Sequence, residues 1–197
     1  GIEDAKLQNL EGYMNRGAWL GAAENLVFDT FKNCAPYVSP FSINNPEGWR
    51  YWLIHFANFF RARQVYNNIL HENSSTQAHF GRSGLNMLAY DPKHDDGSLY
   101  LFDVSGRETA KKELSEDIPR LVSECGDVIG VGDFYESIYN MTPAHTNDIH
   151  SAIIENPDLE VITQAGGERR KPNTIGIGDS IKLRGQRSFF PMFSGKE

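Results

Sequence analysis

Residues 160–183 read EVITQAGGERRKPNTIGIGDSIKL, and the architecture turns on how this stretch folds. Two short runs rich in β-branched residues flank a segment holding Gly166 and Gly167, then Arg169, Arg170 and Lys171. This is the pattern of two strands joined by a glycine-bearing loop. Three consecutive cations at the tip of a hairpin are unexpected in a chain of 197 residues with a formal net charge of -7. Residues 161–197 hold seven Lys/Arg against three Asp/Glu, whereas residues 107–160 hold four against twelve. The last fifth is a basic patch on an acidic body, which bears on partners rather than on fold.

The elements upstream place that hairpin. Ser105 and Glu108 have capping-box spacing, and Leu114, Ile118, Leu121, Val122 and Cys125 follow them as an apolar stripe, so a helix is predicted there, kinked or split by Pro119. VIGV at 128–131 reads as a short strand. Asp133 and Glu136 offer a second capping box for a helix through Tyr139. Thr142 before Pro143 predicts the start of a third helix, which Asn156-Pro157 ends; Ile149, Ala152 and Ile153 face inward on it. Helix, strand, helix, helix, strand, wing, strand is the order of a winged helix-turn-helix.

Before residue 105 the chain reads as a different unit. Leu7, Leu10 and Met14, then Leu20, Ala23, Val27 and Phe31, recur at helical spacing up to Pro36. YVSPFSI (37–43) and the run from Tyr51 predict an antiparallel hairpin, the second strand covered on both faces because it lacks polar alternation apart from His55, read as a core histidine. A helix follows, with Ala62, Val65, Tyr66, Ile69 and Leu70 as its inward stripe. NSSTQAHFGRSG (73–84) reads as loop, LNMLAYDP ends in a turn, and SLYLFD (98–103) is a short strand. The fold class is thus α/β or α+β: a small mixed sheet with helices over 1–104, a winged helix over 105–188 and a tail over 189–197.

Two constellations carry candidate chemistry. Arg169, Arg170, Lys171, Lys182, Arg184 and Arg187 would meet phosphates, and Thr146, Asn147, His150 and Ser151 lie on polar positions of the helix before the wing, where a groove-reading helix contacts bases. Asp148 and Glu155 on the same helix oppose that reading. His71, Glu72, His79 and Arg82 form a polar cluster, but no HExxH-type pair gives it metal geometry, and a helix-end histidine beside a loop knit by Asn and Ser accounts for it. The two G-x-G strings lack the third glycine of a dinucleotide fingerprint. Cys34 and Cys125 form no CxxC pair and read as free buried thiols. No apolar run reaches the length of a membrane span and no signal peptide is legible, so no membrane association and a cytoplasmic location are expected. The chain opens on Gly1 rather than Met, which suggests a piece of a longer product.

YWLIHFANFFRARQVYNNILHENSSTQAHFGRSGLNMLAYDP (51–92), TPAHTNDIHSAIIENPDLEVITQAGGERRKPNTIGIGDSIKL (142–183) and the closing RGQRSFFPMF resemble the C-terminal half of the bacterial three-Cys-motif partner proteins. The resemblance spans most of residues 37–193 and implies the end of a methyltransferase-like α/β domain followed by a winged-helix-like module. It also implies an S-adenosylmethionine-dependent methyltransferase activity for the full-length protein, seated in a Rossmann half with FAGPG-like and DPFG-like strings. Neither string occurs here, so cofactor residues are not carried over and no cofactor is assigned to this chain. Three readings stay open: a nucleic-acid-binding module working through the basic wing; a protein-interaction or dimerisation domain that docks the three-Cys-motif protein or forms a homodimer, with Phe189 and Phe190 as contacts; and part of a nuclease or transferase site around His71 to His79.

Overall fold

The computed structural model describes residues 26–44, 50–73, 77–80 and 99–185. A short helical segment over 26–31 precedes β1 (Tyr37–Asn44), which pairs antiparallel with β2 (Arg50–Ala57), Tyr37 lying opposite Ala57 and Asn44 opposite Arg50. Helix α1 (Phe60–Glu72) follows. Then β3 (Gln77–Phe80) pairs with the other side of β1, and β4 (Leu99–Leu101) pairs with β3, giving a four-stranded antiparallel sheet in the order β2-β1-β3-β4. The hairpin is as predicted, but residues 77–80 are a strand where a loop was expected. Its polar flanks hide it in the sequence, and pairing on both sides creates it.

The expectation that β2 is covered on both faces fails. The strand pairs on one side only among the described residues, and Tyr51, Leu53 and Phe56 are exposed. The central position goes instead to β1, where Tyr37, Val38 and Ser39 are buried. His55 is half-buried and stacks on Tyr66 with ring centroids 4.0 Å apart, its Nδ1 unpaired among the described residues. The LNMLAYDP segment, the early helical pattern before residue 26, Arg82, Arg187, Phe189 and Phe190 lie outside the described residues.

From residue 104 the predicted order holds. Helix α2 (Val104–Glu124), β5 (Val128–Gly130), α3 (Val131–Ile138), α4 (Thr146–Ile154) and β6 (Leu159–Ile162) lead into the wing, which adds a two-residue strand β7 (Glu168–Arg169) and a 3-10 turn (Pro172–Thr174) before β8 (Ser180–Leu183). The second sheet is antiparallel in the order β5-β8-β6-β7, with Ile181 of β8 between Ile129 and Val161. The fold is α+β with a winged helix, and the described sheets are antiparallel rather than mixed. Its core joins Leu114, Ile118 and Val122 of α2 to Phe134, Ile149 and Ile181, and Tyr37 and Ala57 of the first sheet belong to the same cluster, across residue 104.

The helix ends depart from their predicted caps. Asp103, not Ser105, caps α2 by accepting from the Gly106 N–H at 2.7 Å. Pro119 neither ends nor splits α2: it removes the N–H that Ser115 O would have received, and the Asn156 side chain donates to that carbonyl at 2.7 Å instead. Helix α3 starts at Val131 without a side-chain cap; Asp133 sits in its first turn, and the Val131 N–H is taken by Asp179 O at 2.9 Å. Thr142 does not cap α4. Its hydroxyl accepts from Ala144 N within the turn, and His145 Nδ1 caps the helix by accepting from Asn147 N at 3.0 Å. Both cysteines are free, but exposed rather than buried. No helix among the described residues is long and apolar enough to cross a membrane.

Candidate functional site

The wing hairpin is tighter than its sequence suggests. Thr163 N donates to Gly167 O at 2.7 Å, Gly166 N to Thr163 O at 2.8 Å and Gly167 N to the Thr163 hydroxyl at 2.9 Å; Gly166 takes a φ of 83° that favours glycine. The tip is therefore Gln164 to Gly166, and the Arg-Arg-Lys run begins behind it on β7. Arg169 turns back to the buried carboxylate of Asp179, its Nε 2.9 Å from Oδ2 and its Nη2 3.3 Å from Oδ1. Burial pushes the Asp179 carboxyl up, but the Arg169 guanidinium and the Gly176 N–H outweigh it and hold it below the usual carboxylate range.

The remaining wing cations also meet carboxylates. Arg184 bonds Glu168 and lies 3.6 Å from Glu160; Lys182, opposite Glu160 in the ladder, is 3.5 Å from it; Arg170 is 3.6 Å from Glu168. The Arg184 hydrogen bond holds Glu168 below the usual carboxylate range. Lys171 is exposed and forms no ion pair among the described residues. Glu160, which meets Lys182 and Arg184, falls outside the 161–197 window, and Asp179 is ten residues from Arg169; of these carboxylates only Glu168 lies beside a partner, Arg170, in sequence.

These pairs differ in depth. Asp179→Asn is expected to lower stability by about 1–2 kcal/mol, the lower half applying where solvent around Arg169 screens the pair, whereas Arg170→Ala, at a side chain 84% exposed, should change it by less than about 0.5 kcal/mol. Urea midpoints for the two variants measure this; equal midpoints would mean the Asp179 pair does not hold the wing.

On α4, Asn147 is exposed, Ser151 and Thr146 are partly buried, and His150 is buried. His150 points inward rather than into a groove: its Nε2 lies 2.5 Å from the Tyr135 hydroxyl, and its buried Nδ1 has no hydrogen-bond partner among the described residues. Burial pulls its pKa down, the Pro172 carbonyl acting the other way. Asp148 is held by Arg107 through two bonds of 2.8 and 2.7 Å, and Glu155 by Lys111 at 2.7 Å.

Residues 89–166 match the family model of the GMT-like wHTH domain. No curated protein and no solved structure matches the chain. The likeness to this winged-helix family ends at Gly166, so the wing's second half, with its Arg169–Asp179 pair, lies beyond the matched segment. A winged helix of this kind is a nucleic-acid- or protein-binding module.

Helix α1, upstream of the matched segment, packs on the turn between α3 and α4. Of the predicted stripe, Leu70 is buried and Tyr66 packs against the same cluster, but Ala62, Val65 and Ile69 are exposed, and Arg63, Gln64, Asn67 and His71 are buried in their place. Arg63 Nε donates to Tyr139 O at 3.1 Å and its guanidinium also bonds Asn67; Asn67 donates to Thr142 O at 3.1 Å; His71 Nε2 lies 3.1 Å from Pro143 O. Asn68 Oδ1 receives both the N–H and the hydroxyl of Thr146 at 3.0 Å. The turn exposes carbonyls that a helix cannot satisfy, and donors on α1 reach them, which is why Arg63, Asn67 and His71 turn inward beside Leu70 while Ala62, Val65 and Ile69 do not.

The His71 cluster is therefore part of this joint. His71 stands edge-on to Phe102 and His145, Glu72 is exposed at the helix end, and His79 lies on β3 opposite Phe41 and Tyr100. Among the described residues no group of three His, Cys, Asp or Glu could hold a metal ion. Sequence reasoning set Arg63 near the His71 cluster but missed Asn67 and Asn68. The signal available was the i, i+4 spacing of Asn67 from Arg63, with Asn68 next to it, which hydrophobic periodicity ignores.

Proposed function

We propose that the chain is a protein-docking module built on a winged helix, not a reader of phosphate backbones. The observation carrying this reading is that the wing's cations are matched by its own carboxylates: Arg169 by Asp179, Arg184 by Glu160 and Glu168, Lys182 by Glu160, and Arg170 by Glu168. A phosphate would have to displace these partners and approach the repelling carboxylates left behind. Residues 99–185 hold nine Lys/Arg against fifteen Asp/Glu, a net charge of -6, which repels a polyanion at long range. Thr146, in the first turn of α4, is hydrogen-bonded to Asn68 of α1, so the end of the helix that would enter a groove is already engaged.

The resemblance over residues 37–193 supports a three-Cys-motif protein as the docked partner and a methyltransferase-like protein as the setting. S-adenosylmethionine chemistry belongs in this proposal to the Rossmann half of such a protein, not to these residues. Fluorescence anisotropy with a labelled duplex of about 20 base pairs and a single strand of equal length, at about 50 and 200 mM salt, tests the choice between partners. The expected result is no saturable binding at either salt. Binding that weakens steeply with salt and is lost on joint replacement of Arg170 and Lys171 by Ala would return the module to nucleic acid.

A further inference from the structure

A groove of about 330 Å³ runs between the outer side of α1 and the loop leading into β8. Arg61, Val65 and Asn68 line one side, Ile177 the other, and Tyr135 and His150 contribute to its lining between them. Val65 is 49% exposed and Ile177 61% exposed, so two aliphatic side chains on separate elements face water across the opening. Among the described residues Arg61 is the one charged side chain lining the groove and makes no ion pair, in contrast to the wing cations. The Tyr135–His150 hydrogen bond and the Asn68–Thr146 bonds tie α1, α3 and α4 together, so the helical side of the groove is held before any partner arrives.

We propose that this groove, and not the wing, is where the docking module takes its partner: a short apolar segment of another protein, carrying a carboxylate that pairs with Arg61. This rests on the protein-docking reading above. Charge complementarity selects the occupant. Arg61 forms no ion pair among the described residues and no carboxylate is among the described lining; beside the aliphatic Val65, Ile175 and Ile177 in an otherwise polar groove, it favours an acidic residue next to aliphatic or aromatic ones, while the surrounding net charge of -6 over residues 99–185 disfavours a long polyanion. Val65 and Ile177 act as the two walls of an anchor pocket, and Asn68, whose Oδ1 is spent on Thr146, keeps its amide N–H groups for a peptide carbonyl.

The test is a selection from a displayed library of random peptides of about twelve residues on the full chain, followed by anisotropy titration of the enriched peptides. Enrichment of peptides with an Asp or Glu beside two apolar residues, bound about tenfold more weakly by both Arg61→Glu and Ile177→Asp but equally well by Lys171→Ala, is the expected result. Both groove residues are exposed, and unchanged thermal midpoints would show that the variants fold. Peptides that bind all four proteins alike would overturn the groove while leaving protein docking in place. No enrichment, together with salt-dependent duplex binding, would overturn the docking reading itself, and no enrichment without duplex binding would overturn the groove.

Discussion

Replacing Arg63 with Ala is expected to destabilise the protein by about 3–5 kcal/mol, lowering its thermal midpoint on the order of 10 °C. Arg63 has no exposed surface, and its guanidinium donates to Tyr139 O and to Asn67. Truncation removes those donors, leaves a void the size of its side chain, and frees Asn67, which holds Thr142 O. Burial pulls the guanidinium pKa down to about 9, with the neighbouring Tyr66 and Tyr139 acting the other way, so the group is still charged at neutral pH and its hydrogen bonds are charge-assisted. Arg63→Lys fills more of the space but cannot reproduce the fork of donors, so an intermediate loss is expected. Guanidinium-chloride unfolding of the three proteins measures the series. A loss below about 1 kcal/mol for the Ala variant would mean that α1 does not depend on this joint.

Acid is expected to weaken the same joint through His71. Burial is the main cause of its lowered pKa of about 4; the Pro143 carbonyl and Asp148 act the other way, and His145 and Arg107 add to the lowering. The unfolded chain takes up this proton near pH 6.5, so the folded state binds fewer protons between about pH 6.5 and 4. Stability from His71 is therefore fully present above that window and falls as the pH is lowered through it, by about 2 kcal/mol at pH 5 and about 3 at pH 4. The groups facing it are His145, Asp148 and Arg107, with Phe102 against the ring edge; His145, itself lowered by burial and Arg107 and opposed by Asp148 and Glu72, adds in the same direction. His71→Gln keeps a donor near Pro143 O and removes the titration. Urea midpoints at pH 7.5 and pH 5 should converge more closely for this variant than for the wild type, and equal slopes would remove His71 as the cause.

The order of elements in the winged helix was legible because each is announced locally. The stripe at Leu114, Ile118 and Val122, the apolar trio Ile149, Ala152 and Ile153, and the β-branched runs at either end of the wing all became buried or paired as expected. The caps were less legible, because capping depends on which neighbour reaches an open group first: Val131 N found Asp179 O, and the carbonyl that Pro119 left open found Asn156. A proline that reads as a helix breaker is tolerated when a side chain 37 positions away takes over the missing bond.

The wing's charge was legible as a count and misleading as a surface. Seven Lys/Arg against three Asp/Glu over 161–197 leaves out Glu160, which the antiparallel register sets opposite Lys182 and within reach of Arg184. Arg169 and Asp179 are ten residues apart, with no sequence signal that they should meet.

Sequence alone determined the winged-helix order and the hairpin before it, since periodicity, turn residues and β-branching act within a few residues of themselves. Tertiary structure decided which face of α1 points inward, which cations remain unpaired, and that Arg61, Val65 and Ile177 share one groove. Those outcomes depend on open backbone carbonyls and carboxylates brought close from distant parts of the chain, and a buried polar group is stable only where such a partner arrives.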